Sequence, residues 1–576
     1  MELTGAEIIM ECLLREGVDL TFGYPGGNIL YTYDAMNKYP QIHHVRTRHE
    51  QGAAHMADGY ARATGKVGVA IATSGPGATN LVTGIVTARM DSIPIVCITG
   101  QVSTNVIGSD AFQETDVTGV TLPITKHNYL VTDIDDLAYT IREAFHIART
   151  GRPGPVLVDI PKDIQKASIE FVYPDEEIVM PGYRPQHRAS QSELEEARRL
   201  IEEAERPVIL AGHGITMSDA TQEVLKLIEM TETPFALTLL GKGGLPESHP
   251  MSLGMMGMHG TGQANLAIQN ADLLLAFGMR FDDRVTGNVK TYAPSAKKIH
   301  IDIDASEHHK VIRADLPIEG DLKTVLNQLL PMLKKQQHKD WMKEVTDWMK
   351  DADERDIVNQ KAAGEKAESD LLAAHVINDI WEVTNGDAVV VTDVGQHQMW
   401  EAQYYPHERP NTLLTSGGAG TMGYGLPAAI GAAMGLKSDN VWAIVGDGGF
   451  QMTMNELGTA MQENVPVKIA IINNYSLGMV RQWQELFFDR RYNATPMENP
   501  DFVKIAEAYG IAARRIKKAE DVVAAIEWAR SIAGPVLIDF AVESHDIVYP
   551  MVPAGANLHD MIRRPTMKKV TAEDKV

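Results

Sequence analysis

The chain has 576 residues, 44% hydrophobic and 22% charged, with 76 acidic against 53 basic side chains and a net charge of −23. That length exceeds what one core supports and suggests about three or four domains. The scattered acidic excess, with no basic run, argues against a nucleic-acid or anionic-membrane surface. Two cysteines, Cys12 and Cys97, exclude a disulfide framework and fit a reducing compartment. The acidic amino terminus is unlike a targeting peptide and no apolar run is long enough to span a bilayer, so a cytoplasmic, unprocessed protein is expected.

In chain order, a helix is expected from about Thr4 to Glu16, with Ile8, Ile9, Cys12 and Leu13 on one apolar stripe. Phe22 to Gly27 reads as a strand end entering a tight turn. Glu50 to Ala63 is rich in small residues and predicts a closely packed helix. Val67 to Thr73 reads as a buried strand ending in Ser74-Gly75-Pro76-Gly77, and Pro94 to Thr99 as another, followed by a polar loop with Phe112 and Gln113. Gly154 to Pro161 (GPVLVDIP) closes this region. A Pro-rich linker spans about Tyr173 to Pro185, after which Ser192 and Glu195 predict a capping box for a helix presenting Leu194, Ala197, Leu200, Ile201 and Ala204. Strand–turn units at 207–214, 271–287 and 297–304 predict a Rossmann-like domain. The polar helical stretch Gln336 to Ser369, without strand signals, reads as the linker to the last domain, and the charged tail after about Asn557 is given no role.

The final region repeats the first. A strand with a glycine turn ending at Gly77, Ile93-Pro94-Ile95 opening a strand, and GPVLVD at 154–159 recur in order as the turn at Gly446, Val465-Pro466-Val467, and GPVLID at 534–539. Three matches in register predict a duplicated α/β domain flanking the middle one. The fold class is therefore α/β with three doubly wound parallel sheets, over about residues 1–170, 190–330 and 370–555.

Within the second copy, the apolar run Val441 to Val445 stops at Gly446-Asp447-Gly448-Gly449, and Val467 to Ile472 stops at Asn473-Asn474. A parallel strand–helix–strand unit brings both carboxyl ends to one edge. Asp447 and Asn474, 27 positions apart, then face each other. A carboxylate, an amide oxygen and backbone carbonyls form a hard-oxygen set suited to Mg²⁺ and a phosphate, and the glycines let backbone approach that phosphate. An Asp capping its own helix is the common alternative for a lone Gly-Asp-Gly; the Asn pair at matching depth favours the metal–diphosphate site. For Glu50 the alternative is an exposed carboxylate in a helix first turn. Its small apolar neighbours Gly52, Ala53, Ala54 and Ala57 instead imply a partly desolvated carboxylate able to share a proton with a ring nitrogen.

Gly-Asp-Gly followed within 30 residues by Asn-Asn resembles the thiamine-diphosphate enzyme signature. That resemblance implies that Asp447, Asn474 and the carbonyl of Ser476 bind Mg²⁺. RHEQGAAHMADGYAR is similar to the segment whose glutamate, here Glu50, bonds the aminopyrimidine and so promotes loss of the thiazolium proton. It further implies cofactor contacts at Gly395, Gln396, His397, Gly420, Met422, Gly448, Gly449, Leu477 and Met479, with Met422 holding the bent cofactor and Gly420 offering a carbonyl. The segment GMRFDDRVTG, 278–287, resembles the FAD-containing anabolic acetohydroxyacid synthases, the acetolactate synthase large subunits. By that likeness FAD meets Arg152, Gly212, Gly214, Met258, His259, Gly278, Arg280, Arg284, Val285, Asp302 and Asp321. Substrate meets Phe112, Gln113, Lys162, Arg284, Met479, Val480 and Trp483, the Trp favouring 2-oxobutanoate as second substrate. The likeness spans about Leu3 to Asp560, departing at Gly448-Gly449-Phe450, where many relatives have Ala-Ser-Phe.

The resemblance implies condensation of two pyruvates, or of pyruvate with 2-oxobutanoate, with loss of CO₂, giving 2-acetolactate or 2-aceto-2-hydroxybutanoate for branched-chain amino-acid synthesis. It also implies a structural FAD, a homodimer (or tetramer) with active sites between chains, and a small regulatory subunit. A pyruvate oxidase with redox-active flavin is the rival within the class. A non-catalytic regulatory paralogue is the rival outside it, and would be expected to have lost Glu50, Asp447 or Asn474.

Overall fold

A computed structural model of the chain describes residues 1–185, 188–362 and 371–565. Helix α1 (Gly5–Arg15) opens the chain. Thr4 caps it, accepting from the Glu7 backbone N–H while the Glu7 carboxylate bonds back, and Ile8, Ile9, Cys12 and Leu13 are fully buried as their spacing requires. The first sheet comprises β1 (Leu20–Gly23), β2 (His43–Arg46), β3 (Gly68–Ala72), β4 (Ile95–Gln101), β5 (His127–Leu130) and β6 (Val156–Pro161). Helix α2 (Glu50–Thr64) lies between β2 and β3. Both cysteines are free and buried.

The central domain opens with α3 (Gln191–Glu203) and contains β7 (Pro207–Ala211), β8 (Phe235–Leu237), β9 (Ser252–Met255), β10 (Leu273–Phe277), β11 (Lys297–Asp302) and β12 (Leu316–Glu319). Helix α4 (Lys339–Arg355) follows. The third sheet is β13 (Val389–Thr392), β14 (Leu413–Leu414), β15 (Val441–Gly446), β16 (Val467–Asn473), β17 (Ala512–Ile516) and β18 (Val536–Ala541). Its helices include α5 (Gln396–Tyr404), α6 (Gly425–Leu436), α7 (Asp447–Thr453) and α8 (Gly478–Phe487). Among the described residues no helix is long and apolar enough to cross a membrane.

All three sheets are parallel, and their strand orders carry the main architectural information. The first runs β2-β1-β3-β4-β6-β5 and the third β14-β13-β15-β16-β18-β17. These are the same permutation, as a duplicated domain requires. The central sheet runs β9-β8-β7-β10-β11-β12, the doubly wound order whose direction reverses between β7 and β10 and opens a crevice there.

The duplicated domains meet through equivalent helices, since α2 and α6 each connect the second and third strands of their own sheet. Both are nearly free of large side chains at the contact. A methyl group at Gly59 would lie 2.1 Å from the Ala428 carbonyl oxygen, and one at Gly431 would lie 2.0 Å from that of Met56. Backbone therefore packs on backbone, and one hydrophobic core runs from Ala53, Met56 and Ala57 into Ala428, Ala429 and Ala432.

The structure changes three expectations. The capping box of α3 is Ser190 with Glu193, not Ser192 with Glu195. The same Ser-x-x-Glu spacing occurs two residues earlier, and the earlier start adds half a turn while still burying Leu194, Ala197 and Ile201. Gln336 to Ser369, expected to be a linker, contains α4, whose Trp341 and Val345 are buried against the central sheet, with the Trp341 indole N–H donating to the Pro207 carbonyl at 3.1 Å. The stretch 363–369 lies outside the described residues. The start of the tail is also packed, with Leu558 and Met561 in that same core.

Replacing Gly431 with Ala pushes a Cβ into a backbone carbonyl that no rotamer change can relieve. Gly431→Ala is expected to cost roughly 1–3 kcal/mol and to lower the melting temperature, measured by scanning fluorimetry against an alanine placed on an exposed helix face.

Candidate active site

In the third sheet the register pairs Gly446 with Ile472. Asp447 and Asn473-Asn474 therefore leave the sheet at the same depth. Burial pushes the Asp447 carboxyl up to about 6. Its side-chain partner is neutral: Asn499 Nδ2 donates to Asp447 Oδ2 at 2.6 Å and to Asn473 Oδ1 at 3.0 Å. Asn474 Oδ1 accepts from the Ser476 N–H at 3.2 Å, and Asn474 Nδ2 donates to Gln396 Oε1 at 3.1 Å. Asp447, Asn474 and Ser476 line one small cavity, ≈50 Å³, together with Gly395, Gln396, His397, Met422, Gly448, Gly449, Leu477 and Met479.

Two features of this cavity fit a metal-bound diphosphate. A desolvated carboxylate with only neutral partners is stabilised when a cation arrives. The ring of His397 is buried and neutral, its basicity pushed down to about 3, and its Nε2 has no hydrogen-bond partner. With its other nitrogen on the Asp393 carbonyl, the neutral ring leaves Nε2 an unpaired acceptor beside the glycine turn, a buried polar atom left to be met by a bound group.

Asp393, directly after β13, organises this wall and was not found from the sequence. It is fully buried, with its carboxyl pushed up to about 6 by desolvation. Its oxygens accept from the backbone N–H groups of Val394 (2.8 Å), Gly423 (3.0 Å) and Gly425 (2.9 Å). A side chain at Gly449 would meet Asp393 Oδ1 at 2.2 Å. One carboxylate thus fixes the glycine loop, the start of α5 and the start of α7. The only available signal was an Asp ending an apolar run just before Val394-Gly395.

A second cavity of ≈1250 Å³ lies at the carboxyl edge of the central sheet. Gly214, Thr238, Met256, Gly278, Asp302 and Asp321, each just past or at the end of a central strand, contribute to it, so it occupies the switch-point crevice. Arg152, Met258, His259, Arg280, Arg284 and Val285 also line it. Of the flavin residues expected from the sequence, Gly212 alone does not; it stands behind the wall, where a side chain would strike the Gly278 carbonyl oxygen at 2.3 Å.

The arginines differ in freedom. Arg152 Nη1 is locked by Glu307 at 2.6 Å and Asp304 at 3.0 Å. Arg280 and Arg284 lie 3.5 and 3.6 Å from Asp282 and Asp283, loose pairs that leave both guanidinium groups available to a ligand. Trp483 lines the same cavity, and Val394, Gly395, Met422, Met479 and Val480 line both cavities, so the two adjoin across a shared wall. Gly420 lies on the larger cavity and has a positive φ of 62°.

Glu50, Phe112, Gln113 and Lys162 line neither cavity. They gather instead around the carboxyl edge of the first sheet. Glu50 starts α2, and its Oε2 accepts from Asn80 Nδ2 at 2.9 Å. Its other oxygen would be 3.3 Å from a side chain on Gly77, and Gln113 packs against Gly75 of the same turn. Lys162 directly follows β6. Phe112 is 87% exposed. These first-domain residues thus stand at an edge of their own, apart from the lining of both cavities.

Comparison with known proteins matches three domain families in succession. They are the N-terminal TPP-binding domain of thiamine pyrophosphate enzymes at residues 3–120, the central domain of those enzymes at 194–329, and their C-terminal TPP-binding domain at 393–540. Acetolactate synthase of Mycobacterium bovis is 48% identical over 562 residues, covering 96% of this chain and 91% of that protein. The acetolactate synthase large subunit of Corynebacterium glutamicum is 49% identical over 568 residues, covering 97% and 90%. The isozyme 3 large subunit of Escherichia coli is 42% identical over 569 residues, covering 97% and 98%.

Asp393→Ala strands at least three buried N–H donors, each costing about 1–3 kcal/mol when left unpaired. A drop in melting temperature of several degrees is expected. An unchanged melting curve would contradict the organising role given to this carboxylate.

Proposed function

The chain belongs to the acetolactate synthase large-subunit family of thiamine pyrophosphate enzymes, and on that premise we propose how its residues divide the work. Its reaction is that of a thiamine-diphosphate-dependent acetolactate synthase, joining two pyruvates, or pyruvate and 2-oxobutanoate, with loss of CO₂. The observation that carries the assignment of roles is the small cavity of Asp447, Asn474 and Ser476 facing the unpartnered His397 Nε2 and adjoining the Trp483 side of the larger one.

Thiamine diphosphate, when bound, supplies an acidic ring carbon and an electron sink for the carbanion left when a 2-oxoacid loses CO₂. Asp447, the Asn474 side-chain oxygen and the Ser476 carbonyl would hold Mg²⁺, and His397 would contact the diphosphate. Gly448 and Gly449, lining the small cavity, would leave room for the diphosphate, and Met422 on the same wall would support the cofactor's rings. Glu50, its carboxylate held by Asn80, would be the residue that meets the aminopyrimidine nitrogen and its proton. Arg284, with its side chain 60% exposed, is free to bind a 2-oxoacid carboxylate. Met479, Val480 and Trp483 give the acceptor's alkyl group an apolar wall, which favours 2-oxobutanoate by contact area. The C-terminal segment is fastened beside this region. The Val548 N–H donates to Gln482 Oε1 at 2.9 Å, and Pro550 offers its carbonyl to His259 at 3.3 Å.

FAD would lie in the switch-point crevice in a structural role, with Arg280 and Arg284 free to meet it. Gly278, at φ 53°, lets the backbone approach, and a side chain there would strike the Gly214 Cα at 2.4 Å. Because Glu50 stands apart from the metal residues of its own chain, the reading calls for a homodimer in which each site takes Glu50 from one chain and Asp447 from the other. The large-subunit naming of the relatives supports a smaller regulatory partner, and a cytoplasmic location goes with the reading.

Two experiments test these assignments. Glu50→Gln and Asp447→Ala chains should each be nearly inactive alone. Unfolded and refolded together, they should recover about a quarter of wild-type acetolactate formation, because half of randomly paired dimers then contain one intact site of two. A mixture as inactive as its components would refute the division between chains. Gly278→Val should purify without flavin absorbance, and a variant that keeps its flavin would argue against FAD in the crevice.

A further inference from the structure

Glu456 has no place in the chemistry above, yet it is among the most completely buried carboxylates of the chain. It belongs to the third domain, on the single 3₁₀ turn Met454–Glu456 that continues α7, nine residues after Asp447. Its partners lie in the first domain. The Arg48 N–H donates to Glu456 Oε1 and Oε2, both at 3.1 Å, and the His49 backbone N–H also bonds the carboxylate. Thr459 Oγ1 donates from its own side at 2.7 Å. Arg48 and His49 are the two residues before Glu50, and His49 is the N-cap of α2.

The contact leaves no slack. A side chain on Gly52, two residues after Glu50, would stand 2.4 Å from Glu456 Oε1. The Arg48 guanidinium donates to the Gly458 carbonyl at 2.9 Å, clamping the same junction from outside. At the carboxyl end of α7, just before this turn, Thr453 Oγ1 donates to the Gly423 carbonyl at 2.9 Å, tying the helix to the glycine loop that carries Met422. A negative charge at this end of α2 also complements the helix dipole.

We propose that Glu456 is a positioning residue for Glu50. It fixes the first turn of α2 by its peptide N–H groups and makes one rigid segment of the metal ligand Asp447 and the anchor of the same chain's Glu50. The inference rests on the role given to Glu50 above. Because that reading places the Glu50 and Asp447 of one chain in different active sites, Glu456 also links the two sites mechanically.

The test compares Glu456→Gln, Gly52→Ala and the double variant Gly52→Ala/Glu456→Ala with wild type, as holoenzymes with thiamine diphosphate and Mg²⁺, with Glu50→Gln as control. Glu456→Gln keeps the shape but replaces one acceptor oxygen with a donor. It is expected to lower kcat by about tenfold or more while KM for pyruvate stays within about twofold, and to change the near-ultraviolet circular dichroism of the bound aminopyrimidine. Gly52→Ala should reproduce the lesion from the opposite face and lower the melting temperature. The double variant should regain that stability without regaining turnover. Wild-type kcat and dichroism in Glu456→Gln, or full turnover in the double variant, would overturn the proposal, the latter by showing that the carboxylate only fills space. An active Glu50→Gln would instead remove the reading on which the inference rests.

Discussion

A buried carboxylate with no cation beside it holds the third domain's site together. Moving the charge of Asp393 out of water is costly, and the cost is offset only if several donors converge on it. Backbone N–H groups from Val394, Gly423 and Gly425 do so, which forces the glycine loop to fold back on the end of β13. The space left is too tight for a side chain at Gly449. The start of α7, and with it Asp447, is therefore set by an interaction that touches no ligand. The small cavity, the orphaned His397 nitrogen and the wall shared with the central crevice all follow from that arrangement.

Much of this was legible in the sequence, for reasons that can be stated residue by residue. Buried parallel strands are continuous apolar runs ending in glycine turns, so Val441–Gly446 and Val467–Asn473 announced themselves, and with them the meeting of Asp447 and Asn474. The triple echo of strand, proline and Gly-Pro-Val-Leu motif agreed with the shared strand permutation. Edge strands were invisible. His43–Arg46 is polar, Ala512–Ile516 carries two consecutive arginines, and Leu413–Leu414 is two residues long. Helix α4 was legible as a helix but read as a linker, because its charge outweighs the stripe of Trp341 and Val345 that packs it on the central sheet. Asp393, Asn499 and Glu456 were missed for a different reason. A single polar residue acquires its role from partners up to about 400 positions away, and no local pattern marks it.

The central crevice shows how one cavity separates grip from access. Arg152, from the first domain, is spent on Asp304 and Glu307 and fastens the first domain to the central one. Arg280 and Arg284 stand on the loop after β10 with loose partners and face the cavity. The same residue type thus serves as a strut on one wall and stands loosely paired on the other. The difference lies in whether a carboxylate sits at 2.6 Å or beyond 3.5 Å.

The pairing of α2 with α6 has a consequence for how the protein is made. The Gly–Ala face of α2 is complete once Thr64 has been synthesised, but its partner begins at Gly425. At ordinary translation rates of about 5–20 residues per second, that interval is roughly 20–70 s. Throughout it, the nascent first domain presents a flat, side-chain-poor surface around Ala53, Met56 and Ala57 that has the correct shape for only one partner. Glycine-to-carbonyl contact makes the finished interface selective, since any larger side chain is rejected. It also leaves the unfinished one with few apolar atoms to offer a wrong partner. An interface built from backbone is therefore slow to form and poor at misassembling, a combination suited to a duplicated domain whose two copies must find each other across a third.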